Sequence, residues 1–236
     1  MKIASPDLIS ATAWPGKVCY LVNIQRCNYR CGFCNVPELI FENSETPVLT
    51  EEKVLSKLER LKDKKFIDAV CITGGEPLIH PEIENFIRKI RKFKFPVRIE
   101  TNGSQPSRLK RLIEYGLIQS VSLDIKTSRE KYNLAAGCKV KLRKIEKSIL
   151  ITSHLDDYEF RTTIVPHLVN KRDVIRIKNW LLYLTHQDRL NSYILQQFKP
   201  GKLFKPYFDK VKPYPKSTLE EMKKSVEKYF KKCEIR

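Results

Sequence analysis

Short apolar runs of strand length alternate with helical patterns along most of this chain, and that alternation limits the folds open to it. Val18–Ile24, Ala69–Thr73, Val97–Thr101, Ser120–Asp124, Glu159–Val165 and Ser192–Phe198 read as strands. Between them run amphipathic stripes. Val54, Leu55, Leu58 and Leu61 follow a Thr50 cap, and Ile83, Phe86, Ile87 and Ile90 follow Pro81. Leu109, Leu112 and Ile113 follow Pro106, then come Leu142, Ile145 and Ile149, and finally Val174, Ile177, Leu181 and Leu184. Six strands alternating with five helices predict an α/β fold with a parallel sheet. Right-handed crossovers repeated in one direction would curl it into a partial (β/α)6, TIM-like barrel. Residues 200–215 carry four prolines and Gly201 and predict an irregular segment. Ser217 and Glu220 then predict a capping box and a last helix through Leu219, Met222, Val226 and Tyr229. The expected organisation is a barrel core over 1–199 and a Pro-rich segment with a C-terminal helical extension over 200–236.

The chemistry is signalled by Cys27, Cys31 and Cys34, spaced C-x3-C-x2-C directly after the first strand. Thiolates suit iron–sulfur clusters, zinc or Cu(I). A structural zinc or an electron-carrying four-iron cluster asks for four protein ligands. Three close together would leave one iron of a cluster open to a ligand that is not protein. Zinc or buried structural thiols remain the alternative on spacing alone. The chain has seven cysteines, an odd number with three clustered, which speaks against a disulfide framework and for a reducing, cytoplasmic setting. Cys19 and Cys71 lie in apolar runs and read as core. No apolar run reaches membrane length and no signal-peptide pattern opens the chain. The net charge of +18, from 45 basic against 27 acidic residues, reads as a lysine-rich solvated surface, with nucleic acid as the other partner class it admits.

Other unusual residues also fall where strands end, the place where parallel α/β sheets collect their chemistry. Thr73-Gly74-Gly75-Glu76-Pro77 ends the second strand, Glu100-Thr101-Asn102-Gly103 the third, and Asp124-Ile125-Lys126 the fourth. Arg161 lies in the fifth and Gln196-Gln197 near the end of the sixth. Of only 8 glycines, Gly32, Gly74, Gly75 and Gly103 sit in these segments, where backbone must approach a ligand or turn sharply. Glu76 offers an acceptor for an ammonium group. Asp124 and Lys126 share one face and suit hydroxyl and carboxylate groups. Together they predict a pocket for a zwitterionic small molecule bearing hydroxyls beside the metal.

These residues resemble the radical S-adenosylmethionine (SAM) superfamily. The C-x3-C-x2-C triplet, with Phe33 before the third cysteine, matches its cluster motif, and Gly74-Gly75-Glu76-Pro77 matches its GGEP motif. The resemblance implies a [4Fe-4S] cluster on Cys27, Cys31 and Cys34 whose open iron is chelated by SAM, and a 5′-deoxyadenosyl radical that abstracts a hydrogen atom. Segments such as Trp14-Pro15-Gly16-Lys17 and Phe160-Arg161-Thr162-Thr163-Ile164-Val165-Pro166 resemble glycyl-radical-enzyme activases, in particular those of anaerobic ribonucleotide reductase and pyruvate formate-lyase. That likeness implies a glycyl-radical enzyme as protein substrate and a low-potential donor such as ferredoxin or flavodoxin. It also implies SAM contacts from Phe33, Cys34, Asn35, Gly74, Gly75, Glu76, Glu100, Thr101, Asn102, Asp124, Ile125, Lys126, Arg161 and Gln197. Asn35-Val36, Glu100 and Gln196-Gln197 depart from the activase pattern. A radical SAM enzyme acting on a small molecule or tRNA is the alternative, and a non-catalytic zinc protein a further one.

Overall fold

The computed structural model describes residues 1–41 and 45–236. Among these the chain forms nine strands and seven α-helices. The strands are β1 (Ile3–Trp14), β2 (Lys17–Ile24), β3 (Val48–Leu49), β4 (Ala69–Gly74), β5 (Val97–Thr101), β6 (Ser120–Asp124), β7 (Tyr158–Ile164), β8 (Leu190–Gln197) and β9 (Phe230–Ile235). The helices are α1 (Glu51–Asp63), α2 (Ile83–Arg91), α3 (Pro106–Glu114), α4 (Tyr132–Ala136), α5 (Leu142–Ser153), α6 (Lys171–Thr185) and α7 (Lys216–Lys224). This is the α/β class expected, with a mostly parallel sheet: β2 pairs with β4, β4 with β5, β7 with β8 and β8 with β9, all parallel.

The chain divides into two compact units. The first holds residues 1–28, 38–101 and 107–121; the second holds 29–37, 102–106 and 122–236. In the first, the strand order is β3-β1-β2-β4-β5. The six predicted strands are present within about two residues at each end. β1, β3 and β9 were not expected. β1 pairs antiparallel with β2, and its register shifts between Ala4 and Leu8, an interval that includes Pro6. Pro6 and the polar residues around it hide the strand pattern.

Local chemistry explains two of the helix starts. Thr50 caps α1 by accepting the Lys53 N–H at 3.3 Å, as expected. α2 buries Ile83, Phe86, Ile87 and Ile90 completely, each contributing about 1.5–3 kcal/mol. Asn170 and Asp173 form a reciprocal capping box at α6. The predicted box at Ser217 and Glu220 is absent: Pro215 is the N-cap of α7 and makes no side-chain cap bond. The last helix also stops at Lys224 rather than reaching Tyr229. The chain then turns into β9, whose backbone extends the second unit's order β6-β7-β8-β9. Residues Phe230–Ile235 carry three charges in six, too polar to read as a strand.

Candidate active site

In the first unit, β2 leads directly into the cysteine loop. Arg26 takes a positive φ of 75°, turning the chain after β2. The Arg26 and Cys27 N–H groups donate to Leu39 and Ile40 carbonyls at 2.8 and 3.0 Å. The GGEP segment locks against the same turn. Gly75 N–H donates to Ile24 O at 2.7 Å and Glu76 N–H to Arg26 O at 2.9 Å. A Cβ on Gly75 would stand 2.3 Å from Arg26 O, so only glycine allows this approach. Glu76 is completely buried. Its Oε1 accepts from Leu78 N–H at 3.1 Å and from Thr101 Oγ1 at 2.6 Å, capping the Pro77–Ile79 turn. Glu100 accepts from Thr73 Oγ1 at 3.0 Å. These two carboxylates, read from sequence as ligand contacts, are thus engaged in holding strand ends together.

In the second unit the rest of the cysteine loop is braced by α4 and by the segment after β8. Arg30 N–H donates to Ala136 O at 2.9 Å, and Cys31 Sγ lies 3.8 Å from that same carbonyl. Gly137, the left-handed C-cap of α4 at φ 65°, presses on the loop: a Cβ there would meet Arg30 O at 1.9 Å. Phe204 and Lys205 N–H groups donate to Cys34 and Gly32 carbonyls at 3.1 and 2.9 Å. The Phe33 ring meets Phe208 edge-on at 6.2 Å, so its partner is this segment.

Beside the loop in this unit lies a charged trio. Arg161 Nε is 2.7 Å from Asp124 Oδ1, and Lys126 Nζ is 2.9 Å from Asp124 Oδ2. Burial alone would raise Asp124, but the two cations and their hydrogen bonds outweigh it and hold the carboxyl well below the usual range. Burial would lower Lys126, and Asp124 more than reverses that. Burial pushes the Cys31 thiol up to about 11, with the Lys126 ammonium pulling the other way. Cys31 therefore lies within the field of Lys126 and Asp124.

Of the remaining expected residues, Asn102 accepts from Ser104 N–H at 2.9 Å and shapes its own turn. Ile125 is fully buried, donating to Arg161 O and accepting from Thr162. Asn35 is exposed. Gln197 pairs with Ile164 on the face opposite Arg161, and its amide reaches Tyr214 O at 3.4 Å. Gln196, in register with Thr163, shares the Arg161 face instead. Sequence reading missed Gly137, the 203–208 brace and Arg236. Arg236 reaches Glu159 at 3.0 Å and Glu234 at 2.8 Å, and Glu159 also accepts from Ser122 at 2.9 Å. A glycine after a short alanine helix is the only signal that pointed toward any of them.

The sequence profile of the Radical SAM superfamily matches residues 22–181, more than half of the chain. This chain belongs to the radical SAM superfamily. A protein of Methanocaldococcus jannaschii named for glycyl-radical enzyme activation is 30% identical over 97% of this chain and 92% of its own length. The GTP 3′,8-cyclase of Aquifex aeolicus is 31% identical over 47% of this chain and 35% of its own. Among solved structures, Streptococcus suis SuiB bound to SAM has a TM-score of 0.67 at 15% identity, covering 91% of this chain; the chain spans about half of SuiB. That likeness carries the fold.

Radical SAM proteins use a [4Fe-4S] cluster and SAM, and the residues here fit both. Three thiols lie on one eight-residue loop, with backbone bonds fixing Cys27, Cys31 and Cys34. Among the described residues no three His, Cys, Asp or Glu side chains converge on a single ion. A cluster asks something different, one thiolate on each of three irons. The Arg161 and Lys126 cations with the ionised Asp124 match the carboxylate and hydroxyls of a nucleoside-bearing amino acid. No helix among the described residues is long and apolar enough to cross a membrane.

Proposed function

We propose that this radical SAM protein is an activase that installs a glycyl radical on a partner enzyme, in an anaerobic cytoplasmic setting with ferredoxin or flavodoxin as donor. The observation that carries the reading is the 30% identity with the Methanocaldococcus activase-named protein, which runs over nearly the whole of both chains. When bound, cluster and SAM supply an electron and a carbon radical that takes a hydrogen atom from a glycine Cα. This chain's residues do the holding. Cys27, Cys31 and Cys34 anchor three irons. Gly74 and Gly75, whose segment spends the 75 and 76 N–H groups on Ile24 and Arg26, present carbonyls to the SAM ammonium. Arg161 and Lys126 meet the carboxylate, and Asp124, kept ionised by them, accepts from ribose hydroxyls.

The test is anaerobic reconstitution, reduction, and incubation with SAM and a purified glycyl-radical enzyme, anaerobic ribonucleotide reductase first. The expected result is a glycyl doublet in the electron paramagnetic resonance spectrum, with 5′-deoxyadenosine formed in step. Cleavage of SAM with GTP or another small molecule, and no doublet with any glycyl-radical enzyme, would favour the second reading. That reading, an enzyme acting on a small molecule, is supported by the GTP-cyclase match over less than half of the chain.

A further inference from the structure

The segment that follows β8 has no part in SAM binding as described, yet it lies on the cysteine loop of its own unit. Its backbone donates to Cys34 and Gly32 carbonyls, and Phe208 stacks edge-on against Phe33. Gly32 leaves the room for this: a Cβ there would sit 2.4 Å from the Phe208 ring. The segment is also strongly basic. Lys199, Lys202, Lys205, Lys210, Lys212 and Lys216 stand against one acid, Asp209, across residues 199–216. Asp209 is occupied, accepting the Leu203 N–H at 2.9 Å. None of the six lysines has an ion-pair partner among the described residues. Some cations elsewhere are paired, as in Arg88 with Glu84 and Lys89 with Glu51.

Next to this segment opens a groove of about 490 Å³ lined by His167, Pro206, Tyr207, Lys210, Val211 and Lys212. Its lining holds cations, an imidazole and a phenol, and no carboxylate. Tyr207 is 64% exposed, so its ring and hydroxyl face the groove's solvent side. His167 follows β7, the strand that carries Arg161, in a left-handed conformation at φ 71° that a non-glycine residue seldom adopts. The groove therefore lies between the chemically active end of β7 and the segment covering the cysteine loop. A single-stranded nucleic acid would ask for successive stacking rings along a cationic track. One ring with flanking lysines suits a short peptide carrying carboxylates.

We propose that the His167–Tyr207–Lys210–Lys212 groove receives an acidic peptide segment of the protein substrate and so presents that substrate's glycine to the cluster. The proposal rests on the activase reading, and names the surface that recognises the partner. The lysines supply long-range attraction and register, while Tyr207 offers a ring and a hydroxyl at low conformational cost.

The experiment measures fluorescence anisotropy of a labelled glutamate–glycine decapeptide with the reconstituted holoenzyme. A lysine–glycine decapeptide and a labelled oligouridylate serve as comparisons. The acidic peptide is expected to bind and to weaken several-fold between about 50 and about 300 mM salt. The Lys210→Glu/Lys212→Glu variant is expected to lose on the order of tenfold, and the Lys210→Gln/Lys212→Gln variant about threefold. Cluster absorbance reports whether each variant has folded, and the milder pair keeps the test open should charge reversal disturb the segment. Equal binding by wild type and both variants, or tighter binding of the oligouridylate, would overturn the proposal. No partner or radical enters this assay, so its failure leaves the activase reading standing. Peptide binding without any glycyl doublet would remove the activase reading, and with it the substrate role, leaving only an acidic-peptide site.

Discussion

The two units use their polar residues in opposite ways. In the first, Glu76 accepts from Thr101 and Glu100 from Thr73, so these polar groups tie strand ends together. In the second, Asp124, Lys126 and Arg161 are only partly buried and form a charged trio. The lesson is that an acidic residue inside a motif can also be bonded to its own neighbours.

The largest effects should come from the thiols. Replacing Cys27, Cys31 or Cys34 by Ala is expected to abolish cluster absorbance and SAM cleavage, whereas Cys138→Ala should leave both. Loss of the cluster in Cys138→Ala would reveal a fourth protein ligand and end the argument for an open iron. Next in size is a paired glycine test across the two units. Gly116 and Gly137 both end helices with left-handed φ, at 62° and 65°. A Cβ on Gly116 meets nothing within 4 Å, and one on Gly137 strikes Arg30 O. Gly116→Ala should cost about 1–2 kcal/mol from φ alone. Gly137→Ala should cost roughly 2–5 kcal/mol in urea unfolding of the apoprotein, because overpacking adds to the same strain. It should also lower cluster loading, which Gly116→Ala should not. Equal costs would mean α4 does not position the cysteine loop.

Most of the fold was legible because apolar periodicity writes both strands and helices directly. Ile83, Phe86, Ile87 and Ile90 predict a buried helical face, and all four are fully buried. The triplet, the GGEP segment and the Asp124–Lys126 pair were legible because motif spacing and strand ends coincide. What stayed hidden depends on pairing rather than composition. β9 is polar and becomes a strand only because β8 offers it an edge. The 200–215 segment reads as irregular, and its hold on Cys34 and Gly32 is made by backbone groups that every residue possesses. Glu76 reads as a ligand contact because sequence shows which group is present, and its bonds to Leu78 and Thr101 show only in the structure.

Two carboxylate substitutions sharpen the comparison between the units. Asp124→Asn removes the charge that Arg161 and Lys126 share, and is expected to weaken SAM binding on the order of tenfold or more while the cluster still forms. Glu76→Gln keeps an acceptor for Leu78 and Thr101, and should cost only about 1 kcal/mol of stability with SAM affinity nearly unchanged. Equilibrium binding of SAM to the reduced or oxidised holoenzyme measures both. A large affinity loss in Glu76→Gln would return the motif carboxylate to the ligand and erase the contrast.

The smallest effect expected is one of pH, in the first unit. His80 follows the GGEP turn, is 5% exposed, and its Nε2 lies 2.8 Å from Gln25 O, two residues before Cys27. Burial lowers its pKa, opposed by the bond to that carbonyl. The neutral ring therefore donates Nε2–H to Gln25. A histidine depressed on folding binds fewer protons in the native state than in the unfolded chain. Stability should then be fully present above the unfolded value near 6.5 and decline as pH falls below it toward the folded value. His80→Gln keeps an N–H donor and removes the titration. Its melting temperature should change less than wild type's between about pH 7 and about pH 5, a window set by the ordinary histidine value. Parallel slopes for the two proteins would place the acid sensitivity elsewhere and free the GGEP turn from any dependence on this ring.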